Sequence, residues 1–91
     1  MDTYDEAVAE QQRITSLLEQ PQEYGILTTV APYYDEDDPT VIAGYYVGVG
    51  WHAFIKGKEY GHALAVFDPG TSVLGLRRAL DHHYQHVKTS V

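Results

Sequence analysis

TVIAGYYVGVGWHAFIKGKEYGHALAVF, residues 40–67, is the stretch on which the rest of the chain must be folded. It is rich in β-branched and aromatic residues, and one short polar break, Gly57-Lys58, divides it. Two runs of this kind around a tight turn predict a β-hairpin, with strands over residues 40–56 and 59–67. If Gly57-Lys58 is the turn, Ile55 opposes Tyr60, Ala53 opposes His62, Trp51 opposes Leu64 and Val49 opposes Val66. The bulky apolar residues then share one face. The other face carries Tyr46, Gly48, Gly50, His52, Phe54, Gly61, Ala63, Ala65 and Phe67, a floor of glycine and alanine rimmed by aromatics.

Working outward, residues 24–34 read as a third strand, with Ile26, Thr28 and Val30 alternating against Leu27 and Thr29. A hairpin through the polar loop Asp35-Glu36-Asp37-Asp38-Pro39 sets Val30, Thr28 and Ile26 beside Tyr45, Val47 and Val49. Thr3 and Glu6 form a capping box, and a helix runs from there to about Gln20, where Pro21 stops it. Its apolar stripe holds Tyr4, Ala7, Val8, Ile14, Leu17 and Leu18, interrupted by Gln11, which either bonds to backbone or marks a thin edge of the core. Asp68-Pro69-Gly70 is a turn. Thr71 or Ser72 then caps a second helix to about Val87, with Val73, Leu76, Leu80, Tyr84 and Val87 as its stripe. The expected architecture is one α+β domain over residues 1–91, ordered α-β-β-β-α. It is a three-stranded antiparallel meander with two helices packed on one face. Two helices cover one face, so part of the second is expected to be open.

Composition narrows the function. The first forty residues hold ten carboxylates against the single base Arg13, whereas residues 41–91 hold five bases against three acids and all five histidines. A one-sided acidic field repels anions and attracts cationic surfaces. With a net charge of -7, general nucleic-acid binding is not expected. The absence of cysteine excludes disulfides, thiolate zinc sites and a cysteine nucleophile. The acidic N-terminus has no apolar run, and no stretch has the length of a membrane span, which predicts a soluble cytoplasmic protein.

No catalytic constellation emerges. Ser16, Ser72 and Ser90 lack a nucleophile-elbow context. Gly44, Gly48 and Gly50 lie inside a strand pattern with no helix opening after them, unlike a phosphate loop. His82 and His86 have the four-residue spacing that lets two imidazoles share a metal. The glutamate of a metalloprotease motif is missing between them, and we expect no metal and no cofactor. Four consecutive acids before a proline also lack the alternating ligands of a calcium loop. The loop reads instead as a solvated turn or as a contact for a basic partner. We therefore expect a partner surface at Asp35, Glu36, Asp37 and Asp38 with Tyr33 and Tyr34 as aromatic anchors, and a second set at Asp5, Glu6 and Glu10.

The α-β-β-β-α order resembles the double-stranded-RNA-binding domain. That family grips phosphates with a lysine-rich start to its second helix, where this chain has Thr71-Ser72-Val73-Leu74-Gly75-Leu76-Arg77-Arg78, so its function is not carried over. In size, lack of cysteine, lack of an active site and the run Tyr33-Tyr34-Asp35-Glu36-Asp37-Asp38, the chain resembles the small acidic inhibitors encoded by bacteriophages, including anti-CRISPR proteins. This resemblance is one of overall character. It implies a non-enzymatic inhibitor that acts in the host cytoplasm and masks a basic nucleic-acid-binding site on a defence complex. The alternative is a homodimeric or larger assembly module built on the open aromatic and glycine face. A histidine-based metal-dependent enzyme stands third.

Overall fold

The computed structural model of the chain describes residues 1–19, 23–66 and 69–91. Among these, five elements follow in the order α1 (Tyr4–Leu18), β1 (Gly25–Tyr34), β2 (Ile42–Ile55), β3 (Lys58–Val66) and α2 (Val73–Ser90). The strands form one antiparallel sheet in the order β1-β2-β3. The α1 helix packs on β1 and β2, α2 packs on β2 and β3, and both lie on the same face. This is the α+β meander that the sequence predicts. The roles expected of Pro21, Phe67 and Asp68 lie outside the described residues.

The hairpin turn sits one residue earlier than expected. Lys56 (φ 53°) and Gly57 (φ 80°) are its two central residues, and Ile55 pairs with Lys58. Positive φ at both positions defines the type I′ turn, whose twist suits the flanking strands. The register moves accordingly: Ala53 opposes Tyr60, Trp51 opposes His62, Val49 opposes Leu64 and Val47 opposes Val66. The β1–β2 pairing differs from expectation by the same two residues, with Val30 opposite Val47 and Ile26 opposite Trp51. A two-residue shift keeps every side chain on its face, because the strand period is two. The core face is therefore the expected one, with Val47, Val49, Trp51, Ala53, Ile55 and Val66 buried. At Gly50, a Cβ would stand 2.4 Å from the His62 carbonyl oxygen, so the sheet is closed there by backbone approach and only glycine fits.

Thr3 caps α1 by accepting the Glu6 N–H at 3.2 Å. The Glu6 carboxylate takes the Thr3 hydroxyl at 3.0 Å instead of reaching the backbone, a variation on the expected box. Ala7, Ile14 and Leu18 are buried. Tyr4 and Leu17, read from the periodicity as core, are 56% and 49% exposed, because each lies at the margin of the stripe and α1 covers only a narrow part of the sheet. Gln11 bonds to backbone: its Nε2 donates to the Thr28 carbonyl at 3.2 Å and to Oγ1 of the same residue at 3.3 Å. Thr15 joins the same Thr28 hydroxyl at 2.9 Å. Ser72 caps α2, accepting the Gly75 N–H, and the helix continues three residues past Val87.

Trp51 sits at the centre, fully buried between the helices. Its ring lies 5.4 Å from that of Tyr84 in an edge-to-face contact and 6.3 Å from that of Tyr24. Tyr24 precedes β1, and its hydroxyl donates to the Asp81 carboxylate. Burial, with that carboxylate second, pushes the phenol well above its ordinary value.

Candidate functional site

The molecule is elongated, 44 × 25 × 18 Å. The β1–β2 hairpin projects its loop at one end. The loop is built by its own acids: Asp35 Oδ1 accepts the N–H groups of Asp37 (2.8 Å) and Asp38 (3.2 Å). Asp38 Oδ1 accepts the Thr40 N–H (3.0 Å) and hydroxyl (2.6 Å). These Thr40 bonds hold the Asp38 carboxyl below its usual range. Backbone bonds between Asp35 and Val41 and between Asp38 and Val41 close the loop. Asp35 and Asp38 therefore shape the turn. The Glu36 and Asp37 carboxylates make no hydrogen bond or ion pair among the described residues and face solvent.

The start of α1 joins the same end. Tyr45 N–H donates to the Met1 carbonyl at 2.8 Å, and the Tyr4 ring meets that of Tyr45 edge-on at 5.7 Å. Asp5 and Glu6 in the first turn, exposed like Asp2, lie where the helix dipole favours negative charge. Two acidic segments far apart in sequence thus lie toward the same end. Tyr4, Tyr33, Tyr34, Val41 and Ile42 are all exposed among them. Tyr33 and Tyr34 stand beside the loop as expected, while Tyr46 is half-buried and already engaged.

Glu10 does not belong to this surface. It is only 8% exposed, and its carboxylate holds the Arg13 guanidinium and the Gly70 N–H (3.2 Å). The signal was present in its position: Glu10 falls in the buried row Ala7, Glu10, Ile14 and Leu18 at helical spacing, with a base three residues on. Glu23 also leaves the acidic set, since it pairs with Lys88 at 2.7 Å away from the loop.

The histidines divide by face. His52 lies on the uncovered face, and His62 lies under α2, where its ring stacks on His83 with centroids 3.9 Å apart. His82 and His86 are exposed on α2. Among the described residues, no three histidine, aspartate or glutamate side chains converge to hold a metal. Burial, then the neighbouring His62, His82 and His86, hold His83 below the ordinary histidine value of 6.5. A lowered folded pKa means that the neutral ring is the stable one. The stabilisation is complete above 6.5 and is lost as pH falls below that value through the folded one. Melting temperature is expected to drop between pH 7 and pH 5, and His83→Phe, which keeps a ring on His62 but cannot titrate, flattens that drop in thermal melts across this range.

No helix among the described residues is long and apolar enough to cross a membrane. Comparison with protein-family models, curated proteins and solved structures found no match to this chain. The fold and surface thus define a small α+β domain with an acidic, tyrosine-bearing end and one bare sheet face.

Proposed function

We propose that this chain is a non-enzymatic binding protein whose acidic end occupies a basic, nucleic-acid-binding surface on another protein complex, as a phage-encoded inhibitor of host defence would. The observation that carries the reading is the bond from Tyr45 N–H to the Met1 carbonyl, which holds the acidic start of α1 on β2 toward the end that carries the acidic loop. Carboxylates held at one end offer a phosphate-binding surface the charge it is built to receive, and they steer the encounter. The exposed Tyr33, Tyr34, Val41 and Ile42 supply apolar anchors amid that charge, the composition of an interface core rather than of a merely solvated patch.

The test is a pull-down from host extract at about 0.1 M and about 1 M salt, between which the screening length falls from ~10 Å to ~3 Å. The retained proteins are identified by mass spectrometry. A salt-sensitive nucleic-acid-binding complex is expected. Glu36→Gln with Asp37→Asn leaves the loop's internal bonds in place and is expected to weaken that complex by about tenfold or more and to flatten its salt dependence. Unchanged affinity and salt dependence in this variant would remove the acidic end as the contact.

A further inference from the structure

The face of the sheet opposite the helices is uncovered. Phe54 stands 74% exposed at one end of it and Leu27 is 49% exposed near its middle. Between Phe54 and Tyr46 the surface is low, a depression of about 330 Å³ lined by Leu27, Thr29, Gly48, Gly50 and Ala63 among others. His52 does not fill it, because its ring folds down over Gly25 on the neighbouring strand. Among the described strand residues, Glu59 is the one carboxylate on this face of a chain whose net charge is -7.

From this relief and charge we infer that the bare face pairs with the same face of a second copy, the two sheets antiparallel about a two-fold axis that crosses the strands at the level of Trp51. Identical faces meet in a two-fold dimer, so a ridge on one copy needs a trough equally far from the axis on the other. Phe54 lies three residues from Trp51 in β2, and Gly48 lies three residues from it on the other side. The axis therefore seats Phe54 of each copy over Gly48 of the other. It brings Ala63 over Gly61 and sets the two Leu27 side chains beside each other. Aligned sheets pack face to face with their strands within about 30° of each other, which this arrangement allows. About this axis β3 overlaps its counterpart from Lys58 to Val66, β2 from Val47 to Ile55, and β1 only near Gly25–Leu27. At ~3.3 Å per residue and ~4.8 Å between strands this is roughly 330 Å² in projection. That sets a small, concentration-dependent contact below the ~800 Å² per partner of a standard interface.

Charge selects the orientation. A parallel pairing would press two acidic ends together. The antiparallel one sends them to opposite ends, each passing the Lys56 and Lys58 turn of the other copy. Both acidic ends stay accessible, so the inference holds whatever they bind.

Sedimentation of the whole chain over a concentration series tests the pairing. A dimer of twice 10.2 kDa is expected. Phe54→Ser and Ala63→Glu, both at exposed positions, are expected to raise its dissociation constant by about tenfold or more with the fold retained by circular dichroism. Spin labels on Asp37→Cys report the orientation, since the chain has no other thiol. The antiparallel pair separates them by about 60 Å or more, at ~3.3 Å per residue along the strands. A monomer at the highest concentration leaves this face to some other protein and overturns the inference. So do a dimer that both variants leave intact and a pair of labels within about 25 Å, the parallel arrangement.

Discussion

Trp51→Ala is expected to leave the chain at or near the edge of unfolding at 37 °C. The indole is fully buried on the core face of the central strand. Its ring meets Tyr84 from α2, Tyr24 from the approach to β1 and His62 from β3. Truncating a buried tryptophan costs about 3–5 kcal/mol, because the transfer energy is lost and a cavity remains. A domain of this size has roughly 5–14 kcal/mol in total. Its melting temperature should fall by roughly 20 °C at about 4–8 °C per kcal/mol. Trp51→Phe is the informative companion. The indole N–H has no hydrogen-bond partner among the described residues, so phenylalanine loses volume without stranding any other group. It is expected to cost about half as much or less. Thermal and urea melts of the two variants check this. Equal losses would mean that the indole nitrogen matters in a way its surroundings do not show.

Trp51 also illustrates what could be read from the linear chain. Its place on the core face followed from alternation alone, and it survived a turn placed one residue late. Moving the turn from Gly57-Lys58 to Lys56-Gly57 shifts the partners by two, and a shift of two restores the face. The turn itself was hard to place because lysine occupies the first left-handed position, where asparagine, aspartate or glycine would have marked it. The meeting of Met1 with Tyr45 was not legible at all. It depends on where α1 lies across the sheet, which Gln11, Thr15 and Thr28 fix through bonds between residues far apart in sequence. Hence the acidic loop and its tyrosines could be named from the sequence, but their union with the start of α1 could not. Tyr4 shows the same limit from the other side. Its helical phase fits the stripe, yet it lies exposed among those acids, meeting the sheet only edge-on at Tyr45 from the margin of the stripe.

Glu10 is where the sequence and the structure lead to opposite experimental expectations. Counted among the acids of α1, it belongs with a partner surface, and Glu10→Ala would weaken binding and leave stability alone. In the fold its carboxylate takes two donors of Arg13, one of them Nε at 3.0 Å, and the Gly70 N–H. Arg13 in turn reaches the Thr71 carbonyl at 3.3 Å, so the pair fastens the middle of α1 to the segment that leads into α2. Removing the carboxylate takes the charged acceptor from a partly covered guanidinium and from the N–H of the exposed Gly70. Hydrogen bonds to charged groups are worth about 1.5–3 kcal/mol. Arg13 regains water because its side chain is about one-third exposed, which keeps the loss below that of a fully buried pair. Glu10→Ala should therefore destabilise by about 2–3 kcal/mol, and Glu10→Gln, which keeps an acceptor, by about half that. The pH dependence has a definite sign. The Arg13 hydrogen bond, opposed by desolvation and assisted by the Arg13 charge and Gly70, holds the Glu10 carboxyl below 4.5. Its stabilisation is present above the unfolded value near 4.5 and is lost as pH falls through the lower folded value, a window more acidic than that of His83. Glu10→Gln should remove that acid-side loss while His83→Phe leaves it untouched. Urea midpoints at pH 7 and pH 4, measured beside the affinity of the folded variants for the captured partner, separate the two readings: Glu10 as an internal clamp moves the midpoint and leaves the affinity where it was, and Glu10 as a contact does the reverse.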